Sequence, residues 1–350
     1  MMDIPPGLIE TPAILRSGGR TDAIHSSFMA GKLVRIRRGF YVETSRWLAA
    51  QPWIRFAWTV AAAARAIPGL VLCRETAAFA MGIPILRTPS YVECVAQNPS
   101  RSGRRRPTLS IVSKGRDSQF VLKDRGFPLR YHLSPEVTPV RLGEFMGTGL
   151  LQTALDVAFS STLSQSLVVA DGVARKLWKT GILAPESSLL DLDRVAAAVQ
   201  AHPHAAARYR AELALTLASP LAESAGESFS RAAFQFLGIE QPELQHDFSD
   251  MDGFIGRSDF WLPGTEGRKG VVGEFDGKAK YTTLELRNGA TADETVYNEK
   301  LREDRIRALG FGFARWGWAD VENPERLRRK LMGAGLLPGV RAGLPAVRRG

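Results

Sequence analysis

Carboxylate side chains toward the end of the sequence have a spacing that allows two or three of them to converge on a metal ion. Glu227 lies in the first turn of a predicted helix, and Asp259 lies in a predicted strand. Glu274 and Asp276 lie two positions apart in the next strand, so they project from the same face. Carboxylates that converge need a cation, and oxygen ligands alone favour a hard ion such as Mg²⁺ or Mn²⁺. Such an ion can activate water and stabilise charge that develops on a phosphate.

The elements that must position these carboxylates are one helix and two strands. The helix is predicted over 225–237, and the strands are predicted over 257–261 and 270–276. Glycine and proline in the segment between the two strands predict a hairpin. A hairpin of this length brings Asp259 beside Glu274.

The order of these motifs resembles that of the PD-(D/E)xK nuclease superfamily, in particular its small domains similar to very-short-patch-repair endonucleases. The resemblance rests on Glu227, Asp259 and Glu274. It continues with the Glu-Lys-Leu-Arg-Glu-Asp run at 299–304 and with a glycine-led strand at 310–318 that ends in Arg-Trp-Gly-Trp. It implies a restriction-endonuclease-like α/β domain in which the three carboxylates hold the metal ion and DNA is the substrate.

One position departs from the superfamily pattern. The pattern places a lysine two residues after the strand glutamate, and this chain has Asp276 there. Lys278 and Lys280 follow at the next positions of the same parity, so either can supply the missing ammonium group. The domain is therefore either an active variant with a displaced lysine or a nuclease fold that has lost catalysis.

The positive charge of the chain is concentrated near its beginning. Residues 1–150 contain 21 Lys and Arg against 10 Asp and Glu, a balance of +11, within a net charge of +10 for the whole chain. Residues 223–350 contain 19 against 20, a balance of −1. A field of one sign confined to one region predicts a polyanionic partner, most often nucleic acid. The alternative is an arginine-rich surface that is only solvated.

The first 46 residues predict a helix, a turn, a second helix and a two-stranded wing. Thr11-Pro12 begins the first helix, and Thr21 precedes a second one that Gly31 ends. Short strands at 33–36 and 40–42 flank an Arg-Arg-Gly turn. In a winged helix-turn-helix module the second helix enters the major groove, and flanking groups hold phosphates. The residues predicted to contact DNA here are Arg20, His25, Lys32, Arg35, Arg37 and Arg38.

A second basic segment lies between two predicted strands of the middle region. It contains Arg104, Arg105 and Arg106, which are predicted to contact DNA. The alternative for this segment is a solvated loop, as it is for the hairpin tip and for His25.

The N-terminal part resembles the AbiEi-family antitoxins. The resemblance rests on the short helices that lead into Gly-Lys-Leu-Val-Arg-Ile-Arg-Arg-Gly-Phe-Tyr-Val at 31–42, and on the segment 73–84. In that family the module binds operator DNA and represses its own operon. A cognate toxin or a phage-defence protein is the partner that the resemblance implies.

The sequence as a whole predicts a multidomain α/β protein. With only Cys73 and Cys94 it has no disulfide framework, and the first residues lack the pattern of a signal peptide. The apolar run 53–72 is interrupted by arginines and a Pro-Gly break, which favours a buried helix followed by a strand over a membrane span. A cytoplasmic protein with no membrane partner is expected. The predicted domains are a winged helix at 1–46, an antitoxin-like α/β domain at 47–185, a helical connection at 186–221, a nuclease-like domain at 222–335 and a mobile tail at 336–350.

Three functions fit these patterns, and the oligomeric state stays open. The first is a Mg²⁺-dependent DNA endonuclease in a toxin–antitoxin or phage-defence setting. The second is a non-catalytic repressor or antitoxin with a degenerate nuclease fold. The third is a module that recruits a defence partner.

Overall fold

The computed structural model describes residues 2–112, 126–264, 270–277 and 292–336, and for 292–296 the backbone alone. The fold is mixed α/β, with three sheets among these residues. The chain packs as two compact units. The first, unit 1, is Met1–Ser161 with Ala197–Ala211, and the second, unit 2, is Thr162–Ala196 with Glu212–Gly350.

Unit 1 begins with the predicted helices and hairpin. Its first elements are β1 (Ile9–Glu10), α1 (Thr11–Arg16), α2 (Asp22–Met29), β2 (Leu33–Arg37) and β3 (Phe40–Glu43). The strands form a sheet in the order β1-β3-β2. Pro12 occupies the first turn of α1, where its missing N–H leaves no bond unmade. Gly39 has a φ of +86° at the β2–β3 turn, a conformation that favours glycine.

Two helices complete the core behind this hairpin, α3 (Thr44–Ala49) and α4 (Pro52–Ala66). Trp47 and Trp58 stack with ring centroids 6.1 Å apart and pack with the buried side chains of β2 and β3. The helix α4 confirms the prediction of a buried helix over the apolar run. No helix in the described part of the chain is long and apolar enough to cross a membrane.

The next part of unit 1, up to Ser160, is a six-stranded sheet with two helices. These elements are β4 (Val71–Leu72), α5 (Arg74–Ala80), β5 (Val92–Ala96), β6 (Gly103–Arg104), β7 (Leu129–Leu133), β8 (Val140–Leu142), β9 (Phe145–Gly147) and α6 (Leu150–Ser160). The strand order is β6-β7-β5-β4-β9-β8. Residues 109–112 form no strand, and Ser110 makes a single antiparallel bridge, to Arg35 of β2. Cys73 and Cys94 are buried free thiols.

Three helices follow, α7 (Leu163–Lys179), α8 (Asp193–Ala201) and α9 (Ala205–Thr216). The helices α8 and α9 lie within the stretch 186–221, which the two units divide between them.

Unit 2 contains the elements that carry the acidic residues. They are α10 (Ala225–Leu237), β10 (Glu243–Asp250), β11 (Gly253–Leu262), β12 (Val271–Phe275), α11 (Ala292–Ala308), β13 (Gly312–Trp316), α12 (Trp318–Val321) and α13 (Pro324–Gly333). The sheet order is β10-β11-β12-β13, with β12 and β13 parallel and the other pairs antiparallel. Parallel neighbours need a crossover, and α11 lies in the connection between β12 and β13.

The helix α10 packs closely on this sheet. A Cβ atom added to Gly226 would lie 2.0 Å from the ring of Phe275, so only glycine lets the helix approach β12 this closely. Trp316 donates a hydrogen bond from Nε1 to Ser230 Oγ at 2.8 Å, and its ring stacks on Phe260. These contacts hold the first turn of α10 near the ends of β12 and β13.

Candidate functional site

Asp259 and Glu274 lie side by side on adjacent strands. The antiparallel register pairs Phe260 with Gly273, so the next pair along the ladder is Asp259 with Glu274. The Phe275 backbone N–H donates to Asp259 Oδ2 at 2.9 Å, which holds that carboxylate against β12. The structure thus brings together two of the predicted site residues.

Glu274 is paired with two arginines. Arg315 of β13 donates from Nη2 to Glu274 Oε2 at 2.9 Å, and Arg302 of α11 donates from Nη2 to Oε1. The Glu274 side chain is 12% exposed, so these pairs are largely shielded from water. Arg315 also reaches Glu299 of α11, with Nη1 3.4 Å from Oε2. Arg315 therefore has an electrostatic role beside Glu274.

The electrostatics of Glu274 show a site that attracts positive charge. Burial raises the pKa of Glu274, and the negative charge of Asp259 raises it further. The charges of Arg302 and Arg315 act in the opposite direction, although the pKa stays above its ordinary value. Two neighbouring, partly buried carboxylates therefore need nearby cations if both are to be ionised.

Glu227 contacts the start of its own helix. It is fully buried, and its Oε2 accepts from the Glu223 backbone N–H at 2.8 Å while its Oε1 accepts from Ser224 Oγ at 2.7 Å. The Glu227 N–H in turn donates to Ser224 Oγ at 3.2 Å. Ser224 thus caps the N-terminus of α10, and the Glu227 carboxylate bonds the serine hydroxyl and the backbone N–H one residue before the cap.

The remaining acid of the predicted group follows the end of β12. The backbone N–H of Asp276 donates to the Trp316 carbonyl oxygen at 2.7 Å, and its side chain is half-buried. Lys278 and Lys280 lie outside the described residues.

Asp259 and Glu274 fit a hard divalent ion by the chemistry of their oxygens and by their shared demand for positive charge. Across the residues described, no group of three or more His, Cys, Asp and Glu is placed to hold a metal. The fit therefore rests on two strand carboxylates, with Arg302 and Arg315 supplying the positive charge beside Glu274.

The predicted DNA contacts of unit 1 differ in their surroundings. Arg38, Lys32 and His25 are exposed, and Arg37 is half-buried at the end of β2. Arg20 is exposed and forms an ion pair with Asp22 at 2.8 Å. Arg35 is engaged within the protein: its guanidinium lies 4.9 Å from the Phe28 ring centroid, and its Nε donates to Ser110 Oγ at 3.0 Å. Of these residues, Arg37 and Arg38 lie at the tip of the β2–β3 hairpin.

A group of titratable residues in unit 1 escaped the sequence prediction. Glu75 lies in the first turn of α5, and its pKa is raised from 4.5 to about 7, chiefly by burial and then by the charge of Glu93. Glu93 Oε1 lies 3.2 Å from His132 Nε2. Single titratable residues spread over three elements leave no local pattern, so only the tertiary structure reveals this group.

Glu75→Gln is expected to stabilise the protein at alkaline pH. The folded-state pKa lies above the ordinary value, so ionisation of Glu75 removes stability as pH rises from about 4.5 to about 7. Above that window the full penalty is about 3 to 4 kcal/mol, and the glutamine lacks it. Thermal unfolding at pH 5 and pH 8 measures the effect, with exposed Glu136→Gln as control. Equal shifts at both pH values would contradict the expectation.

No protein-family model matches this chain, and no curated protein matches it.

Proposed function

We propose that this chain is a DNA-binding protein whose residues 1–46 form a winged helix-turn-helix. In this arrangement α2 enters the major groove, and the arginine tip of the β2–β3 hairpin holds phosphates. The observation that carries the proposal is the sequence of two helices and a hairpin whose tip presents Arg37 and Arg38. The balance of +11 over residues 1–150 supports it, because a duplex is a dense polyanion.

Replacing Arg37 and Arg38 together by alanine is expected to weaken DNA binding in a salt-dependent way. Each phosphate contact contributes roughly −0.9 to the slope of log affinity against log salt, so the slope should flatten by about two. Fluorescence anisotropy of the full chain with a duplex probe, over a range of salt concentrations, measures it.

The matched control removes another adjacent arginine pair, exposed Arg328 and Arg329 of α13 in unit 2. This control should keep the wild-type slope. A wing variant whose slope equals that of the control would count against DNA contact by the hairpin tip.

For unit 2 we propose a PD-(D/E)xK-type domain that hydrolyses DNA phosphodiester bonds with Mg²⁺ or Mn²⁺. Asp259 and Glu274 would hold the ion, which supplies an activated water and neutralises developing charge. The observation that favours this function is the pairing of Asp259 with Glu274 and the raised pKa of Glu274. Arg302 and Arg315 stand beside Glu274 and are able to donate to phosphate oxygens.

The second candidate for unit 2 is a non-catalytic role within an AbiEi-like repressor or antitoxin, with a toxin or defence protein as partner. It is favoured by the two arginines that already bind both Glu274 oxygens. It is also favoured by Asp276 in the position of the motif lysine. Metal binding and DNA cleavage separate the two candidates, as set out in the Discussion.

A further inference from the structure

The basic segment around Arg104 is anchored at both ends. Strand β6 pairs antiparallel with β7, with Arg104 opposite Arg130, and the Arg105 N–H donates to the Leu129 carbonyl at 2.8 Å. Five residues further on, Ser110 and Arg35 exchange backbone hydrogen bonds of 2.8 and 2.9 Å. The segment therefore runs from the edge of the six-stranded sheet to the outer edge of the hairpin.

Side chains strengthen the second anchor. Thr108 Oγ1 donates to the Ile36 carbonyl at 2.7 Å. Leu109 and Ile111 pack against the hydrophobic core that contains Val34 and Trp47. These contacts make the segment part of the hairpin's own packing, and they keep its spacing from the wing tip constant.

Arginines line the β6–β7 edge. The guanidinium of Arg104 lies 5.1 Å from the Tyr91 ring centroid and that of Arg130 lies 5.8 Å from it, while Arg105 lies 4.9 Å from the centroid of Tyr131. Among the described residues, none of these three arginines forms an ion pair with a carboxylate. Like charges directly opposite on paired strands destabilise a sheet, and an anion on this edge would relieve that repulsion.

The wing arginine is close to this edge. The pKa of Tyr131 is raised, first by burial and then by Cys94, and the positive charges of Arg37, Arg105 and Arg101 oppose the shift. Electrostatic influence of this kind requires proximity to the Tyr131 hydroxyl. Arg37 of the wing thus lies close enough to this edge for its charge to act on the same tyrosine as the charges of Arg105 and Arg101.

We propose that the β6–β7 edge and the wing tip form one continuous surface that holds the phosphate backbone of a single DNA duplex beyond the wing itself. The inference rests on the proposed DNA binding and extends it to residues Arg101, Arg104, Arg105 and Arg130. The ligand expected on this surface is a phosphate, because guanidinium groups cover the rings of Tyr91 and Tyr131. A ring covered in this way cannot serve as a platform for an unstacked base, which single-stranded nucleic acid requires.

The test uses one full-length variant that carries both Arg104→Ala and Arg105→Ala. It is compared with wild type on duplexes of different length. On a short duplex that spans the wing alone, the two proteins should bind equally. On a long duplex wild type should bind more tightly, and the variant's salt slope should be flatter by about two. In a variant that also carries Arg37→Ala and Arg38→Ala, the salt slope should be flatter by about four.

Two controls protect this test. Arg141→Ala, on β8 at the opposite edge of the same sheet, should leave affinity for the long duplex unchanged. Exposed Arg101→Ala flattens the slope by about one without removing any of the ring contacts. The inference would be overturned if the Arg104/Arg105 variant kept the wild-type affinity and salt slope on the long duplex. It would also be overturned if the variant lost as much affinity on the short duplex as on the long one, or if wild type preferred single-stranded RNA. Absence of duplex binding by wild type would instead overturn the proposed function.

Discussion

Replacing Arg231 by methionine is expected to lower the free energy of unfolding of unit 2 by about 3 to 5 kcal/mol. Arg231 of α10 donates from Nη1 to both carboxylate oxygens of Asp171 of α7, each at 2.9 Å. Its side chain is 6% exposed and that of Asp171 is 1% exposed. The methionine leaves the Asp171 charge buried without this partner. It also removes the bond from Arg231 Nη2 to the Leu217 carbonyl.

Three variants in chemical denaturation distinguish this charge effect from a packing effect. Arg328→Met removes an exposed pair with Glu325 and should change stability by less than about 1 kcal/mol. Adding Asp171→Leu to Arg231→Met removes both charges and should recover much of the loss. An Arg231→Met protein within about 1 kcal/mol of wild type would show that the pair does not hold α7 against α10.

Glu274→Gln is expected to reduce Mg²⁺-dependent nicking of plasmid DNA by at least about 100-fold, because losing a metal ligand costs more than losing its outer-shell support. The amide carries no charge to offset the ion. In wild type, Mg²⁺ should raise the melting temperature, because a ligand that binds only the folded protein stabilises it. That rise should vanish in the variant.

Exposed Glu325→Gln of α13 is the matched control and should keep both nicking and the thermal shift. Lys278→Ala and Lys280→Ala, made separately, should show which lysine supports cleavage while Mg²⁺ binding survives. A wild-type protein that binds Mg²⁺ or Mn²⁺ and leaves single- and double-stranded DNA intact favours the repressor. Binding of neither ion leaves Arg302 and Arg315 as the cations of this acidic pair.

Local patterns made much of the fold predictable. The helix Ala225–Leu237 has the predicted bounds, because Ser224 caps its start and Gly238, with a φ of +66°, ends it. The pairing of Asp259 with Glu274 was also predictable, since strand alternation and a hairpin suffice to place them. Glu227 shows the limit of such patterns. A serine three residues before a glutamate also predicts a capping box at a helix N-terminus, so the sequence alone does not distinguish a capping role from a metal ligand.

Contacts between residues far apart in the chain could not be predicted from the sequence. Arg302 and Arg315 reach Glu274 across 28 and 41 residues, and the motifs in which they lie do not identify this partner. Arg35 resembled the other wing arginines, yet it pairs with Ser110, 75 residues away. Such contacts depend on how helices and strands pack together, and the spacing of residue types along the chain does not predict that packing.

The most direct test of DNA binding by this chain is the salt dependence of its affinity for duplex DNA. With four to six phosphates held by unit 1, log affinity should fall against log salt with a slope of about −4 to −5, and the β6–β7 edge makes it steeper. Affinity that does not change with salt, or no affinity for a duplex at low salt, would contradict the proposal.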